Sequence, residues 1–303
     1  MNISEHQKTL ILESLAEHLA RRDTTNVSTA AIQKDMEELV WARQATMETL
    51  VIPWIQRTRS LQGLSVLEPG CGMGPMTCAL AQTGCNLASY EIDPIMARAA
   101  SARLSILGLQ GPVVFHVSAD DAVDDLPRRF PDGVDAIPCI GILEHIPEVP
   151  RLELMQCFWN LLRPGGLFIV AHTPNRLTYH DLHCTRMPFG HMLPDQIAIR
   201  YFDRAPHDAY RESMRWAASQ SENHLIEMRH GFGTGVSFHD FEIAFETRDI
   251  QSLVADDGLG PEMMAWYRDD LETNLLWQYM QSANLPLSRG WSRQFLNLIF
   301  RKP

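Results

Sequence analysis

The chain has 303 residues, enough for one large domain or a catalytic core with an added lobe. Hydrophobic residues make up 45% and charged residues 21%, which is typical of a folded globular protein and argues against disorder. There are 26 Lys and Arg against 37 Asp and Glu, giving a net charge of −11. Because an acidic surface repels phosphate backbones, we expect no nucleic-acid substrate.

The sequence also indicates the compartment. No apolar stretch approaches the roughly 20 residues needed to cross a bilayer, and the first residues lack the basic and then apolar layout of a secretory signal. The six cysteines form no C-x-x-C pair, as expected of reduced thiols. We therefore expect a cytoplasmic protein that does not contact a membrane, and no pattern predicts its oligomeric state.

The first 62 residues carry helical periodicity. Two groups of apolar residues recur at helical intervals and predict two helices, the second running toward Trp54: Ile11, Leu12, Leu15 and Leu19, then Ile32, Met36, Leu39 and Val40. We expect residues 1–62 to form a helical N-terminal lid.

From Leu64 onward, short apolar runs alternate with helical segments. The runs predict strands at 65–67, 88–90, 113–117, 134–137 and 167–171, and the helical segments lie at 75–83, 94–108 and 149–162. This alternation predicts right-handed crossovers and a parallel sheet with helices on both faces. After Pro174 the order becomes irregular through residue 222, with a helix indicated near 216–218, and 294–300 suits a last strand.

A glycine-rich turn follows the first predicted strand. Segment 68–74 reads EPGCGMG, and Glu91 comes seventeen residues after Gly74, at the end of the second predicted strand. Glycines there let the backbone approach a ligand, and a carboxylate at Glu91 can accept the hydroxyls of a ribose. The dinucleotide pattern G-x-G-x-x-G needs a third glycine where Pro75 stands. Glu68 would repel a pyrophosphate but suits the positive charges of S-adenosylmethionine. A dinucleotide site and a purely structural turn remain the alternatives.

These motifs carry a family resemblance. The chain resembles the class I S-adenosylmethionine-dependent methyltransferases, of the bacterial small-molecule and sugar type, in its turn at 66–74, in Glu91, in LEHIP at 143–147 and in LRPGG at 162–166. The resemblance covers roughly residues 64–174. It implies an α/β, doubly wound, seven-stranded and mostly parallel sheet, with S-adenosylmethionine as cofactor. We expect a donor-binding core at 63–174 and an acceptor-site lobe with the last strands at 175–303.

The resemblance also implies donor-binding residues. In the family, an acidic residue after the third strand contacts the adenine; the match is Asp120 or Asp121, and we favour Asp120. The end of the fourth strand, at Cys139 and Ile140, is expected to line the methionine part of the donor. The full set of expected donor-binding residues is Glu68, Gly70, Cys71, Gly72, Gly74, Glu91, Ile92, Asp120, Asp121, Cys139 and Ile140.

Histidines are the candidate bases for the acceptor. Methyl transfer is an in-line displacement that needs alignment and, for an oxygen acceptor, removal of a proton, for which a histidine has a suitable pKa. The candidate catalytic residues are His172, His180, His183 and His239. His145 belongs to the family motif and is expected to pack near the site without doing chemistry.

A metal site is the alternative use of this segment. His180, Asp181, His183, Cys184 and His191 offer suitable ligand types, but their spacing is not a recognised zinc pattern, and we assign no metal. We predict O-methylation of a small metabolite, sugar or natural-product intermediate. Methylation of a protein side chain or of a nitrogen, and a non-catalytic donor-binding partner protein, are the other readings.

Overall fold

The computed structural model describes residues 3–14 and 41–303, and within them it contains one seven-stranded sheet. The strands are β1 Ser65–Pro69, β2 Asn86–Glu91, β3 Val113–His116, β4 Val134–Ile140, β5 Leu162–Pro174, β6 Val254–Asp256 and β7 Phe295–Arg301. Their order is β3-β2-β1-β4-β5-β7-β6. β1 pairs in parallel with β2 and β4, and β2 with β3, whereas β6 and β7 are antiparallel. The predicted α/β, seven-stranded and mostly parallel sheet is confirmed.

Helices precede, connect and follow these strands. Up to β5 they are α1 Glu5–Ser14, α2 Arg43–Thr46, α3 Ile52–Thr58, α4 Pro75–Ala81, α5 Pro94–Ile106, α6 Ala122–Arg129 and α7 Glu148–Leu161, with a π-helical turn at Met47–Val51 joining α2 to α3. Beyond β5 they are α8 Asp195–Tyr201, α9 Asp208–Gln220, α10 Glu222–Phe232, α11 Phe238–Ala244, α12 Pro261–Trp266 and α13 Leu271–Ser282. None of the described helices is both long and apolar enough to cross a bilayer.

The N-terminal helices can be compared with the periodicity only in part. Within the described residues, Ile11 is buried in α1 and Trp54 is fully buried in α3. Most of the apolar residues that predict the two helices lie outside the described residues: Leu15, Leu19, Ile32, Met36, Leu39 and Val40.

The sequence indicates α9 only at residues 216–218 and does not predict α6. α9 buries Tyr210, Met214 and Ala217, which stand four and then three residues apart, whereas the rest of the helix is largely polar. α6 likewise buries only Ala122 and Leu126. Narrow apolar faces of this kind disappear among polar neighbours, so periodicity alone does not predict α6 and does not give the full length of α9.

The chain divides into two compact units. The first comprises Met1–Pro138 and Leu161–Phe168, and the second comprises Cys139–Asn160 and Ile169–Pro303. Each has apolar packing of its own. A cluster in the first unit contains Ile11, Met73, Cys78, Ala99, Leu104 and Leu107, and one in the second contains Cys184, Met187, Ile199, Ala205, Tyr210, Met214, Ala217 and Leu225. The division into lid, core and acceptor lobe at residues 62 and 174 stays a prediction.

Candidate functional site

The glycine turn between β1 and α4 adopts a backbone conformation that favours glycine. Gly70, Gly72 and Gly74 have φ of 60°, 53° and 81°, in the left-handed region where a side chain is strained. A Cβ on Gly72 would meet no atom within 4 Å, so space is open above it. A Cβ on Gly74 would lie 3.2 Å from the Cβ of Ala100 on α5. Gly72 therefore borders open space, and Gly74 permits close helix packing.

Glu91, at the end of β2, faces this turn. Its Oε2 accepts a hydrogen bond of 2.7 Å from the Gly72 N–H, and its Oε1 accepts bonds of 2.8 and 3.1 Å from the N–H groups of Ile92 and Asp93. The parallel register of β1 and β2 brings the two strand ends side by side. Asp93 then caps α5 by accepting a hydrogen bond from the Ile95 N–H. The carboxylate is fixed beside the open space over Gly72, while the Ile92 side chain is 53% exposed.

Glu68, near the end of β1, is a buried carboxyl group. It is 3% exposed, and its Oε2 accepts a hydrogen bond of 2.6 Å from the Ser89 hydroxyl on β2. Burial raises the pKa of Glu68 from 4.5 to about 7, and the nearby charge of Glu91 acts in the same direction, against the Ser89 hydrogen bond. A group with this pKa carries a partial negative charge near neutral pH and gains strongly from a nearby cation.

The two aspartates after β3 differ in their contacts. Asp121 precedes α6, and its Oδ2 accepts a hydrogen bond of 2.6 Å from the Ser118 hydroxyl. Asp120 is exposed, and within the described part of the chain it forms no hydrogen bond or ion pair. The N–H of Val117, three residues earlier, donates to the Glu91 carbonyl, so the segment leaves the sheet beside the end of β2.

The end of β4 is mostly closed. Cys139 is fully buried, and burial raises the pKa of its thiol well above the usual range. Ile140 and Gly141 are half-buried, and the Gly141 N–H donates to the Ala171 carbonyl at 3.0 Å. Ile140 and Gly141 therefore have the exposed surface of this stretch that a ligand could contact.

His172 occupies a strained position near the end of β5. Its φ is 59°, unusual for a residue with a side chain, and its N–H donates to Asn297 Oδ1 at 3.0 Å. The ring lies parallel to those of Trp266 and Phe295, with centroids 5.1 and 5.2 Å away, and Nδ1 is hydrogen-bonded to the Tyr267 hydroxyl. Packing and a hydrogen bond thus fix the orientation of the imidazole.

The other three candidate bases have separate surroundings. His180 Nε2 is hydrogen-bonded to the Arg186 carbonyl at 3.0 Å. His183 Nδ1 lies 3.2 Å from the Cys184 sulfur. His239 is exposed on α11, 3.1 Å from the Ser237 hydroxyl.

The residues weighed as metal ligands bond to protein groups within this segment, and His191 Nδ1 lies 3.8 Å from Asp181 Oδ1. Asp181 accepts hydrogen bonds from the backbone N–H groups of His183, Cys184 and Thr185 and from the Thr185 hydroxyl, so it organises the turn. His191 Nε2 lies against the carbonyls of Arg176 and Thr178, at 3.1 and 2.9 Å, to which it can only donate.

Sequence reasoning missed several residues around these sites. Ser89 binds Glu68, Tyr267 binds His172, and the buried Arg103 donates to the Met73 carbonyl in the glycine turn at 3.4 Å and to Gln44 at 2.5 Å. Arg103 could have been found from the sequence, because it is a charged residue on an otherwise apolar face of a predicted helix. Ser89 and Tyr267 carried no local signal.

The sheet order, the antiparallel last strand pair and the turn after β1 define a class I S-adenosylmethionine-dependent methyltransferase. A profile of the methyltransferase domain matches residues 43–259, so the chain belongs to this family, which confirms the resemblance.

Individual relatives agree. The ubiquinone biosynthesis O-methyltransferase of Xylella fastidiosa (strain M23) is 34% identical over 125 residues, 41% of this chain and 48% of that protein. The protein of the same name from Pseudomonas aeruginosa (strain UCBPP-PA14) is 32% identical over 162 residues, 50% of this chain and 66% of that protein. The chain thus spans about half the length of the first of these relatives.

A solved structure resembles the chain in fold alone. PKMT2 from Rickettsia typhi, in complex with AdoHcy, has a TM-score of 0.50 at 13% identity, covering 84% of this chain and 54% of that one.

Proposed function

We propose that this chain transfers the methyl group of S-adenosylmethionine to an oxygen atom of a small-molecule acceptor. The observation that carries the proposal is the carboxylate of Glu91, fixed at 2.7 Å from the Gly72 N–H beside open space. In the proposed complex Glu91 accepts the ribose hydroxyls, Asp120 accepts from the adenine amino group, and Glu68 balances the positive charges of the donor.

Calorimetric titration with S-adenosylmethionine tests the donor site. Gly72→Ala places a methyl group in the space over the turn, and Gly63→Ala is its matched control. Both glycines have positive φ, 53° and 75°, and neither would meet an atom within 4 Å, so the backbone strain is similar. We expect Gly72→Ala to lose at least about tenfold in donor affinity, equivalent to 1.4 kcal/mol, and Gly63→Ala to bind as the wild type does. Equal affinities in both variants would contradict the donor site.

The choice of oxygen rests on the relatives and on chemistry. The two relatives named above are O-methyltransferases by name. A neutral hydroxyl is a weak nucleophile, so transfer to oxygen needs a base aligned with the acceptor. An acceptor on a metabolite, a sugar or a natural-product intermediate is consistent with the net charge of −11, which disfavours polyanions.

His172 is the candidate base that we favour. Its orientation is fixed by stacking with Trp266 and Phe295 and by the hydrogen bond between Nδ1 and Tyr267. With the proton on Nδ1, the lone pair of the imidazole resides on Nε2. This nitrogen can take the proton from the hydroxyl group of the methyl acceptor while that oxygen bonds to the methyl carbon and the carbon–sulfur bond breaks. The strained φ of 59° at His172 is consistent with a functional role, because backbone strain of this kind is found more often at functional sites.

Transfer of radiolabelled methyl groups to a host metabolite extract tests the activity, followed by rate measurements on the acceptor so found. We expect His172→Gln to lower kcat by about 100-fold or more with the donor affinity unchanged, the usual effect of removing a general base. Tyr267→Phe tests positioning and should shift the pH profile of kcat. His180→Gln, His183→Gln and His239→Gln test the other candidate bases.

The outcomes separate the alternatives. A rate that collapses in His239→Gln and survives in His172→Gln would assign the base to α11. A labelled protein or a labelled amine would replace the oxygen acceptor. Donor binding without any labelled product would favour the non-catalytic partner protein.

A further inference from the structure

Three potential ligands converge in the second unit. Glu144, His145 and His183 each offer one ligand atom, and these atoms lie within 4.8 Å of one another. We call them the Glu144 cluster. Glu144 has a fully buried side chain, whereas His145 is 39% exposed. The cluster therefore joins a buried carboxylate to a histidine that solvent can reach.

The hydrogen bonding of His145 directs one ring nitrogen at the carboxylate. Nδ1 lies 2.9 Å from the Gly231 carbonyl, which can only accept, so Nδ1 carries a proton. In the neutral ring the lone pair then resides on Nε2, which lies 3.8 Å from Glu144 Oε1. A histidine that donates through one nitrogen to a backbone carbonyl and presents the other is the usual arrangement of a metal ligand.

The backbone around the cluster is held closely. The Thr234 N–H donates to the Glu144 carbonyl at 2.7 Å. Gly233, with φ of 108°, packs against two cluster members, since a Cβ there would lie 3.2 Å from Glu144 Cγ and 3.3 Å from His183 Nδ1. A side chain at this position would push the two groups apart. The close approach of Gly233 thus preserves the spacing of the ligands.

A second group of possible ligands provides a contrast. Glu148, Asp195 and His230 also lie within 4.8 Å of one another. There, however, Arg176 forms an ion pair with Glu148, and Arg229 forms one with Asp195 at 2.9 Å. Two guanidinium groups thus lie beside these two carboxylates, and the group serves as a control for the Glu144 cluster.

We propose that Glu144, His145 and His183 bind a divalent transition-metal ion of the Zn²⁺ type. Two imidazoles and one carboxylate suit borderline metals such as Zn²⁺, whereas Mg²⁺ and Ca²⁺ prefer oxygen ligands. Three protein ligands leave one position of a tetrahedral site for water or another ligand. The site does not depend on the proposed O-methylation and exists whichever acceptor the protein uses.

The test uses the full chain, stripped with a chelator and dialysed. Zn²⁺ is added in competition with a chromogenic chelator, and Co²⁺ is added separately to record its visible absorption. We expect one Zn²⁺ per chain and Co²⁺ bands of a tetrahedral or five-coordinate site. Glu144→Gln and His183→Gln should each weaken Zn²⁺ binding by about 100-fold, since removing an outer partner alone costs 10- to 100-fold.

Matched variants keep the result interpretable. His180→Gln removes a nearby histidine outside the cluster, and Glu148→Gln disrupts the contrasting group; both should bind Zn²⁺ as the wild type does. Circular dichroism and donor titration of every variant show whether it has folded. Absence of stoichiometric Zn²⁺, unchanged affinity in folded Glu144→Gln and His183→Gln, or loss confined to Glu148→Gln would overturn the proposal. A chain that binds Zn²⁺ but transfers no methyl group would support this site and contradict the proposed function.

Discussion

The affinity for S-adenosylmethionine should rise with pH through neutrality, because Glu68 titrates there. Burial raises the pKa of this carboxyl group to about 7 in the ligand-free protein. If the ionised form balances the positive donor, binding stabilises the carboxylate and releases a proton. Protonated Glu68 offers the donor no charge, so the apparent affinity follows the ionised fraction.

The size of the effect follows from the pKa. With a pKa of about 7, roughly one carboxyl group in ten is ionised near pH 6 and roughly three in four near pH 7.5. The limiting change in affinity is therefore about eightfold, or roughly 1.2 kcal/mol. The range stops at about pH 7.5 because an α-amino group such as that of the donor titrates above it.

Isothermal titration in buffers of different ionisation enthalpy measures both affinity and proton release. The wild type should release about half a proton per donor bound at pH 7, since half of Glu68 is then ionised. Glu68→Gln should bind the donor with little pH dependence and should release fewer protons than the wild type. Glu153→Gln, the control at an exposed position on α7, should behave as the wild type does. Identical pH profiles for wild type and Glu68→Gln would refute the reasoning.

Three predictions concern stability, each measured by urea denaturation of the ligand-free protein. The pKa of Glu68 in the folded protein, about 7, lies above its ordinary value of 4.5, so the wild type loses stability as the pH rises from about 4.5 to about 7. The Glu68→Gln variant has no such group. Between about pH 5 and pH 8 its free energy of unfolding should therefore rise relative to that of the wild type by on the order of 2 kcal/mol. A pH-independent difference would contradict this. Gly74 and Gly63 both have a positive φ, but only a Cβ on Gly74 would crowd Ala100. Gly74→Ala should therefore lower the free energy of unfolding by about 1 to 3 kcal/mol more than Gly63→Ala does. Equal losses in the two variants would show that α4 and α5 move apart to accommodate the methyl group. Burial would raise the pKa of Asp181, but His191 and the N–H groups of Cys184 and Thr185 hold this pKa below the usual range. The ionised carboxylate therefore stabilises the fold at every pH above the ordinary carboxyl pKa, and this stabilisation is lost in strong acid. Asp181→Asn should therefore destabilise the protein by about 2 kcal/mol near neutral pH, and a loss near zero would mean that the amide replaces the carboxylate in this turn.

The sheet and the glycine turn could be predicted because their signals are local. The strands before and after the turn are short apolar runs, and the left-handed φ of Gly70, Gly72 and Gly74 is available mainly to glycine. Parallel pairing then puts the ends of β1 and β2 side by side, which is why Glu91 could be expected near the turn. The buried state of Glu68, and with it the raised pKa, could not be predicted, since burial depends on every element packed around the side chain.

The sequence alone determined the family, through motifs such as the glycine turn and LEHIP at 143–147, and the alternation of strands and helices, through periodicity. It also determined the residue types available for chemistry. All of these signals are properties of neighbours along the chain. Only the tertiary structure decided which of those residues meet. His180 and His183 are close in sequence, yet the turn built on Asp181 separates their surroundings, and His183 lies instead with Glu144 and His145. Such convergence depends on hydrogen bonds between distant segments, as from Thr234 to Glu144, and no local pattern encodes these.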